Sequence, residues 1–420
     1  MSATIQLYGG VLIIIGVIYA LIKQYDAKTA LFGAGLLMCC MAFKPLAAFD
    51  AFANRMVTGG LIQAICSVMG FAFVVNYTKC DKHLVNLFAG ILIKVRPILI
   101  PGTTLATFAI NIALPSAAGV AAAVGTIFIP LLISTGIHPA TAAAAVMAGT
   151  FGSMLNPGLS HNPFVANLAK IDVLQVIQVH TVADIVAGCL TALGVLIMAI
   201  VFKETKGYVP ENQGKVEIER VNPLYAALPA VPIVLLVLSS LGWLGPVKLK
   251  VPHAMLIGAL CVVIATRTKP SEVTKAFFNG MGNSYTNVMS IIICAAVFVA
   301  GMEACGLIKA FTETMINSKS IVKIAAAWGP WILGFIVGSG DAAAFAFNEA
   351  VTPHAQSFGM EIAQMGSLAA VTGAISRICS PICPGLIICA GIAGINPMEI
   401  TKRNLLGSLM ATAAVMYLLT

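Results

Sequence analysis

The sequence predicts an all-α integral membrane protein with two inverted-topology repeats, each containing a re-entrant helical hairpin and a broken transmembrane helix. Three observations predict this fold. The 420 residues are 59% hydrophobic and only 10% charged, whereas an average soluble domain is about 25% charged. Apolar runs long enough to cross a bilayer recur along the chain. Two regions rich in Gly, Pro, Ser and Asn interrupt those runs at equivalent positions.

Composition also excludes several classes of protein. The 24 Lys and Arg residues are scattered, whereas a nucleic-acid surface needs basic residues clustered on one face, so the expected surroundings are a lipid bilayer and no nucleic acid. Most cysteines lie inside apolar runs, where free Cys behaves as a small hydrophobe. Cys379 and Cys383 are therefore interpreted as small packing residues, and no metal site is predicted. No cleavable signal is expected, because MSATIQLYGG has no basic n-region.

Eight segments have the apolar length of spanning helices. A spanning helix needs about 20 apolar residues, and flanking residues can extend the shorter segments. Residues 81–95 are instead amphipathic and predict an interfacial helix. The predicted spans are 8–22, 28–43, 59–78, 179–202, 223–241, 252–266, 282–302 and 399–419.

Two apolar regions, 97–170 and 321–393, carry residues that break helices. Each predicts a helical hairpin with a polar tip, followed by a helix broken at mid-membrane. Broken backbone cannot be satisfied by lipid, so it must pack in protein or line a wet cavity. The interrupting motifs are LPSAAG (114–119), SMLNPGLSHN (153–162), GSGD (338–341) and RICSPICPG (377–385).

The two interrupted regions repeat each other. Ser116 precedes Pro130 by 14 residues, and Ser339 precedes Pro353 by the same number. Further matched pairs lie 223 or 224 residues apart: Gly136 with Gly359, Gly149 with Gly373, Pro157 with Pro381, and Asp172 with Asn396. The spacing predicts a first repeat over 1–202, a polar cytoplasmic linker over 203–222, and a second repeat over 223–420.

Topology follows from the predicted number of crossings. Five crossings and one re-entrant hairpin in each half make the second half inverted. With the N-terminus outside, most of the 24 Lys and Arg residues lie on the cytoplasmic side, as the positive-inside rule favours. Both termini are then periplasmic. Inverted repeats with paired interrupted segments indicate a secondary transporter.

The ionisable residues within the interrupted regions are candidate functional groups, because charges are costly in a membrane. Arg377 lies at the second break, where it could grip a substrate carboxylate, pair with Asp341 or Glu349, or cap carbonyl groups. Asp341 could bind a cation, carry a proton or pair with Arg377. Glu349 is a candidate proton carrier. His161, at the first break, could titrate or serve a structural role.

Neutral hydrogen-bonding residues cluster at both hairpin tips and both breaks. Each one alone would more often bond to its own helix, but their clustering at symmetric positions indicates a substrate site. The candidates are Ser116, Asn156, Ser160, Asn162, Ser339, Thr372, Ser376 and Ser380.

Four motifs resemble those of the DcuC family of anaerobic C4-dicarboxylate carriers, within a broader ion-transporter superfamily. The combination of GSG, F-x-x-E and a downstream R-x-x-S-P is fairly specific, and the resemblance covers nearly the whole chain in order and spacing. The motifs are SAAGVAAAVGTIFIPLL (116–132), GSGDAAAFAFNEAVTP (338–353), AISRICSP (374–381) and NPMEITKR (396–403).

The resemblance implies exchange, uptake or efflux of succinate, fumarate, malate or aspartate across a bacterial inner membrane. It also implies a homodimer with an elevator mechanism. Its fixed scaffold would contain the helices of 1–78 and 223–302, and its moving transport domain would contain 97–178 and 321–398.

The resulting hypothesis is a C4-dicarboxylate transporter that works by alternating access. Arg377 would bind one carboxylate, and the donors from Asn156 to Asn162 would help with the other. Coupling would use protons, Na⁺ or a counter-dicarboxylate, without a cofactor. The alternatives are another organic acid or an amino acid as cargo, or an anion channel on the same scaffold. An enzyme is not predicted, because no nucleophile elbow or metal-ligand spacing is present.

Overall fold

The computed structural model describes residues 3–23, 25–93, 98–209, 220–315 and 319–420. The described residues form 21 α-helices with short 3₁₀ and π segments, and they contain no β-strand. The all-helical prediction is therefore confirmed. The predicted start of the first hairpin region, at 97, and the middle of the predicted linker, 210–219, lie outside the described residues.

The first half of the chain contains ten α-helices. They are α1 (Ala3–Ile22), α2 (Ala27–Met41), α3 (Pro45–Met56), α4 (Gly59–Tyr77), α5 (Cys80–Leu92), α6 (Leu99–Ala113), α7 (Ala117–Ser134), α8 (Pro139–Ala148), α9 (His161–Ala169) and α10 (Val173–Val201). Helices α6 and α7 form the first predicted hairpin. The first predicted break lies between α8 and α9, where a 3₁₀ turn over Gly152–Leu155 interrupts the α-helical path.

The second half contains the other eleven. They are α11 (Pro223–Ala227), α12 (Val231–Ser240), α13 (Val251–Thr266), α14 (Pro270–Ser284), α15 (Ser290–Ala304), α16 (Leu307–Met315), α17 (Lys319–Val337), α18 (Gly340–Ala350), α19 (Ile362–Ser376), α20 (Pro384–Ala393) and α21 (Pro397–Leu419). Helices α17 and α18 form the second predicted hairpin, and the second predicted break lies between α19 and α20.

Most of the predicted spans coincide with helices, with two differences. The predicted span 282–302 is part of a longer run, Pro270–Ala304, in which a π-turn over Tyr285–Met289 joins α14 to α15. Polar residues on α14 interrupt the apolar run, so the sequence predicts only the part of this helix that begins at 282. The span 223–241 consists of α11, a 3₁₀ turn and α12. The residues predicted to form an interfacial helix, 81–95, are helical as α5 as far as the described residues extend, and their interfacial position stays a prediction.

Several helices are suited to a bilayer. Six helical runs among the described residues are long and apolar enough to cross a membrane, and the pair α20–α21, bent by 119°, would make a seventh if it is one span. Large apolar side chains are exposed on their outer faces, for example Leu12, Tyr19 and Ile185. Exposing these apolar side chains to water would cost free energy, whereas lipid accommodates them. The structure is therefore that of a multi-pass membrane protein.

Helices α10 and α21 form the most extensive helix–helix contact of the fold. Their backbones meet at two glycines, and a Cβ atom added to Gly194 would lie only 2.6 Å from the amide nitrogen of Gly407. Small residues let membrane helices approach closely. Each helix begins at a residue of one matched pair, because Asp172 caps α10 and Asn396 caps α21. This central pair holds the two broken helices side by side.

At one end of the α10–α21 contact, Glu204 accepts hydrogen bonds from Arg403 and from the Thr141 hydroxyl. Burial alone raises the pKa of the Glu204 carboxyl, but these hydrogen bonds outweigh burial and hold that pKa below its usual value. Because the folded pKa is depressed, the carboxylate stabilises the fold above its unfolded pKa of about 4.3. That contribution is lost as the pH falls through the folded pKa.

We therefore expect Glu204→Gln to lower Tm at pH 7 and to flatten the fall in Tm that the wild type shows as the pH drops below about 5. Thermal unfolding of the purified protein over this pH range measures both effects. Glu313→Gln is the matched control, because the Glu313 side chain is 65% exposed and its pair with Lys309 is long, at 3.9 Å. An unchanged pH profile in the Glu204 variant would contradict this role.

Candidate functional site

A cavity of about 280 Å³ lies where the two hairpin tips meet the two helix breaks. It is lined at the starts of four helices: α7 through Ala117, α9 through Ser160, α18 through Ser339, and α20 through Pro384. Helix N-termini present unpaired N–H groups and the positive ends of helix dipoles. Four of them around one cavity make a site for an anion.

The two tips turn into their helices at matched serines. Ser116 caps α7 and accepts a hydrogen bond from the Gly119 amide, 3.1 Å away. Ser339 occupies the same position before α18, in an extended conformation. Gly338 precedes it with φ of +78°, and a Cβ there would lie 3.0 Å from the carbonyl oxygen of Ile382. Only glycine suits this turn, which sets the second tip against the second break.

The opposite wall of the cavity comes from α4 and from the junction of α14 with the π-turn. Val68 and Met69 supply apolar surface from α4. Ser284 and Val288 lie at the junction, where the π-turn widens the helix. Single π-turns inside α-helices are frequent at functional sites. The cavity therefore has one polar wall of helix ends and one largely apolar wall.

Arg377 and Asp341 form an ion pair at the cavity. The guanidinium Nη1 donates to both carboxylate oxygens of Asp341, at 3.0 and 3.3 Å. His161 Nε2 lies 3.0 Å from Asp341 Oδ1, and its ring stacks on Phe345. The Asp341 side chain is 36% exposed, whereas that of Arg377 is 12% exposed. Because Arg377 and Asp341 balance each other in charge, the helix ends leave the site with a net positive potential.

The sequence left substrate binding and pairing with Asp341 open as roles for Arg377, and the structure contains the pair. Arg377 nevertheless has spare donor capacity, because its pair with Asp341 uses only Nη1. A guanidinium has five N–H donors. The pair therefore leaves room for a second anion on the same side chain.

The structure brings only part of the predicted donor set to the cavity. Ser116, Ser160, Ser339, Asp341 and Arg377 line it. His161 is buried and reaches the cavity only through its contact with Asp341.

The other predicted donors bond to backbone carbonyl groups of the hairpins and of the broken helices. Asn156 donates to the Ile112 carbonyl at 2.7 Å, and Asn162 donates to the carbonyls of Met154 and Asn156. In the second half, Ser376 donates to Gly373, Ser380 to Phe335 and Thr372 to Leu368. Asn162 thus bonds within the first break, and Asn156 and Ser380 tie the two breaks to the hairpin arms α6 and α17. Ser376 and Thr372 bond back to their own helix, α19.

Glu349 lies away from the cavity, near the end of α18. It forms an ion pair with Arg55 of α3, whose guanidinium lies 5.8 Å from the centre of the Phe164 ring. The pair joins the second hairpin to a helix of the predicted scaffold. Among the described residues, no group of three His, Cys, Asp or Glu is placed to hold a metal ion.

Sequence reasoning missed one buried pair of ionisable residues. His180 Nδ1 lies 2.7 Å from Asp184 Oδ2 within α10, and both side chains are fully buried. The available signal was two ionisable residues four apart in an otherwise apolar helix, which places them on one face.

Solved structures share this fold. The chain superposes on the MtrF antimetabolite efflux pump of Neisseria gonorrhoeae with a TM-score of 0.63, covering 99% of this chain and 94% of that one at 14% identity. The YdaH transporter of Alcanivorax borkumensis gives a TM-score of 0.61, covering 88% and 86% at 14% identity. The fold is thus one adopted by membrane transporters.

Sequence relatives give the family. Residues 6–420 match the DcuC family, C4-dicarboxylate anaerobic carrier. The chain belongs to this family, and it is a transporter rather than an enzyme. The anaerobic C4-dicarboxylate transporter DcuC of Escherichia coli K12 is 25% identical, over 96% of this chain and 94% of its own length. An uncharacterised transporter of Haemophilus influenzae is 42% identical over 270 residues, which are 61% of this chain and 97% of that protein.

Proposed function

We propose that this protein is a secondary active transporter of C4-dicarboxylates such as succinate, fumarate, malate and aspartate, and that it works by alternating access. The observation that carries the proposal is the convergence of four helix N-termini and Arg377 on one cavity. That arrangement suits a small dianion. The cavity, at about 280 Å³, lies near the lower end of the range for small-molecule sites, about 300–1,000 Å³.

In the proposed complex, Arg377 binds one carboxylate and the first-half helix ends bind the other. Ser116 and Ser160 are the first-half hydroxyls at the cavity. Ser339 adds a donor at the second tip. Asn156, Asn162 and Ser380 contribute by tying the breaks to backbone carbonyl groups, and Ser376 bonds to its own helix beside the second break.

The proposed architecture is two inverted repeats. Its support is the order of elements, because each half has a hairpin, a broken helix and a long final helix in the same succession. The matched residues also take equivalent places: Ser116 and Ser339 precede the second arms of the hairpins, and Asp172 and Asn396 cap the final helices. We extend this to an elevator-type homodimer in a bacterial inner membrane, with both termini periplasmic.

The tip of the first hairpin is the proposed gate. A second cavity of about 230 Å³ lies beyond it, and Pro115 and Ser116 line both cavities. The second cavity contains Asn76 and Asp81. Movement of this tip would join the two spaces and open a path from the site.

Coupling by protons, Na⁺ or a counter-dicarboxylate is part of the proposal, with Asp341 and Glu349 as the residues predicted from sequence. Each of these carboxylates forms an ion pair with an arginine, Asp341 with Arg377 and Glu349 with Arg55. Either carboxylate would have to exchange that arginine for another partner during transport.

Uptake of labelled succinate into proteoliposomes tests the function. Measured with and without internal fumarate and at two external pH values, uptake stimulated by fumarate is expected for an exchanger. The pH dependence reports on proton coupling. Absence of succinate flux in every condition, from protein shown to be folded, would overturn the proposed substrate class.

A second candidate substrate class is the amino acids, aspartate included. The observation that favours it is the Asp341 carboxylate, which lines the cavity beside Arg377 and would pair with a substrate ammonium group. Competition of labelled succinate uptake by unlabelled acids with and without an α-amino group separates the two classes.

Asp341→Asn is the corresponding prediction. Removing this carboxylate frees Arg377 and deletes a negative charge next to a dianion, so the concentration of succinate for half-maximal binding is expected to fall by about tenfold. Any preference for aspartate over succinate is expected to weaken. Calorimetric titration of the purified variant with both acids measures both effects. An unchanged succinate affinity would show that Asp341 does not compete for Arg377.

A further inference from the structure

The broken helix of the first half is tied to the buried pair of α10 by a short hydrogen-bond chain. His180 Nε2 lies 3.2 Å from Asn162 Oδ1, and His180 Nδ1 lies 2.7 Å from Asp184 Oδ2. Asn162 in turn donates its Nδ2 to the carbonyls of Met154 and Asn156. The next residue towards the cavity, His161, contacts Asp341. The chain thus runs from a buried ionisable pair to the wall of the substrate cavity.

The hydrogen bonds of Asn162 fix the proton on His180. Both carbonyl groups that Asn162 faces need a donor, so they face its NH₂ group and its Oδ1 points to His180. An amide oxygen only accepts, so His180 Nε2 must carry a hydrogen. His180 Nδ1 and Asp184 Oδ2 lie 2.7 Å apart, which is a hydrogen-bond distance. One proton must therefore lie between these two atoms, on one or the other. That proton belongs either to an imidazolium beside a carboxylate or to an imidazole beside a carboxylic acid, and in both cases the pair is neutral.

Removal of the bridging proton cannot leave this geometry intact. A neutral imidazole has one N–H, and two acceptors would then face it, Asp184 and Asn162. Bonds to a carboxylate are roughly twice as strong as neutral ones, so the N–H would remain with Asp184. The lone pair on Nε2 would then face Asn162 Oδ1 and repel it. Asn162 would lose this partner, and the break that carries Gly158, Leu159 and Ser160 to the cavity would lose one of its ties.

Within the part of the chain that the structure describes, no other charge is placed to stabilise the deprotonated pair. Helix α10 packs against α6, α8, α9, α19, α21 and the 3₁₀ turn of Gly152–Leu155. Among these, α6, α8, α19 and the turn contain no ionisable residue. Helix α9 contributes His161, α10 itself adds the exposed Cys189, and α21 contributes Glu399, Lys402, Arg403 and the exposed Tyr417. Arg403 is engaged by Glu204 at the opposite end of α10.

The second carboxyl oxygen of Asp184 also favours a protonated pair. Asp184 Oδ1 is buried and has no hydrogen-bond partner among the described residues. Burying an ionised carboxylate without full pairing costs several kcal/mol, and a proton in the pair removes that cost. By contrast, Asp341 and Glu349 each have an arginine partner.

We infer that the His180–Asp184 pair is the proton-binding site of this transporter, and that Asn162 transmits its occupancy to the broken helix at the substrate cavity. The inference rests on the proposed dicarboxylate transport. It assigns the transported proton to this pair on α10, whereas the sequence predicts Asp341 and Glu349 as the coupling residues. The step involves one proton, which enters the pair from one aqueous side and leaves to the other, with no other bond made or broken.

Asp184→Asn tests the inference, because it mimics the protonated state. The new amide can donate to His180 Nδ1 while Nε2 still donates to Asn162, so both contacts survive and no titratable carboxyl remains. The variant is expected to retain exchange of labelled succinate for internal succinate at near wild-type rates. It is expected to lose accumulation driven by a pH gradient. Asp172→Asn is the matched control, because Asp172 caps the same helix at its exposed end and asparagine is an equally good cap.

Proton uptake gives a second readout that a merely structural role would not change. Succinate uptake down its concentration gradient into proteoliposomes that hold a trapped pH-sensitive dye counts the protons carried with each succinate. That count is expected to fall by about one in Asp184→Asn, relative to both wild type and Asp172→Asn.

The outcomes separate the inference from the function beneath it. No exchange by folded wild-type protein would overturn the proposed substrate class. With wild-type exchange present, the inference would be overturned by any of three results: gradient-driven accumulation by Asp184→Asn, its loss of exchange as well as accumulation, or wild-type exchange that no pH gradient can drive.

Discussion

Arg377→Ala is expected to reduce succinate uptake by about 100-fold or more. The guanidinium is the one Arg or Lys side chain among the described residues that lines the cavity, so its loss removes the two-point attraction for a carboxylate. It also leaves Asp341 without its cationic partner, to repel an incoming dianion. The unpaired Asp341 is also expected to lower Tm. Truncating one partner of a buried, hydrogen-bonded charge pair costs about 2–5 kcal/mol of binding, and each 1.4 kcal/mol is about tenfold in affinity.

Three companion variants separate binding from folding. Arg377→Ala combined with Asp341→Asn removes the unpaired carboxylate, so Tm is expected to recover while uptake stays low. Arg377→Lys keeps a positive charge but not the planar fork, so partial uptake is expected. Arg220→Ala changes an exposed arginine and should behave as wild type. Wild-type uptake by Arg377→Ala in proteoliposomes would exclude Arg377 from the substrate site.

The interruptions of the helices could be predicted from sequence because their causes are local. Proline, glycine and capping serines act within a turn or two of their own positions. The tips at Ser116 and Ser339, and the breaks before His161 and Pro384, therefore appear where the motifs placed them. The meeting of four helix ends in one cavity depends, besides these local events, on how the hairpins pack against the broken helices.

The directions of side chains at the breaks could not be predicted in the same way. Asn156 and Ser380 look like substrate donors in the sequence, yet each bonds to a carbonyl 44 or 45 residues away. The ion pair of Arg55 with Glu349 joins residues 294 positions apart. Such partners are set by how the helices pack, and spacing along the chain carries no information about that packing.

Gly340→Ala is expected to give the second largest loss, in stability as well as in transport. Gly340 and Gly373 press together where α18 crosses α19, and an added Cβ on Gly340 would collide with the carbonyl oxygen of Gly373. On the other side, a Cβ on Gly334 of α17 would lie 2.8 Å from the Gly340 Cα. Backbone atoms cannot turn aside as a flexible side chain can, so the second hairpin would have to shift away from α19.

That shift would act directly on the site, because Gly340 lies between Ser339 and Asp341. Overpacking of this kind costs about 1–3 kcal/mol, and a displacement of about 1 Å at a positioned group can cost about 100-fold in rate. We expect a lower Tm of the purified protein and a loss of succinate uptake at least as large as that from Arg377→Lys.

Gly33→Ala is the matched control for this prediction. Gly33 lies inside α2, and a Cβ there would meet no atom within 4 Å. Alanine is the better helix former by about 1 kcal/mol, so this variant should have an equal or higher Tm and should transport as wild type. If Gly340→Ala instead transported normally, α18 and α19 would not be in contact in the conformations that carry substrate. The second hairpin would then move independently of the broken helix that carries Arg377.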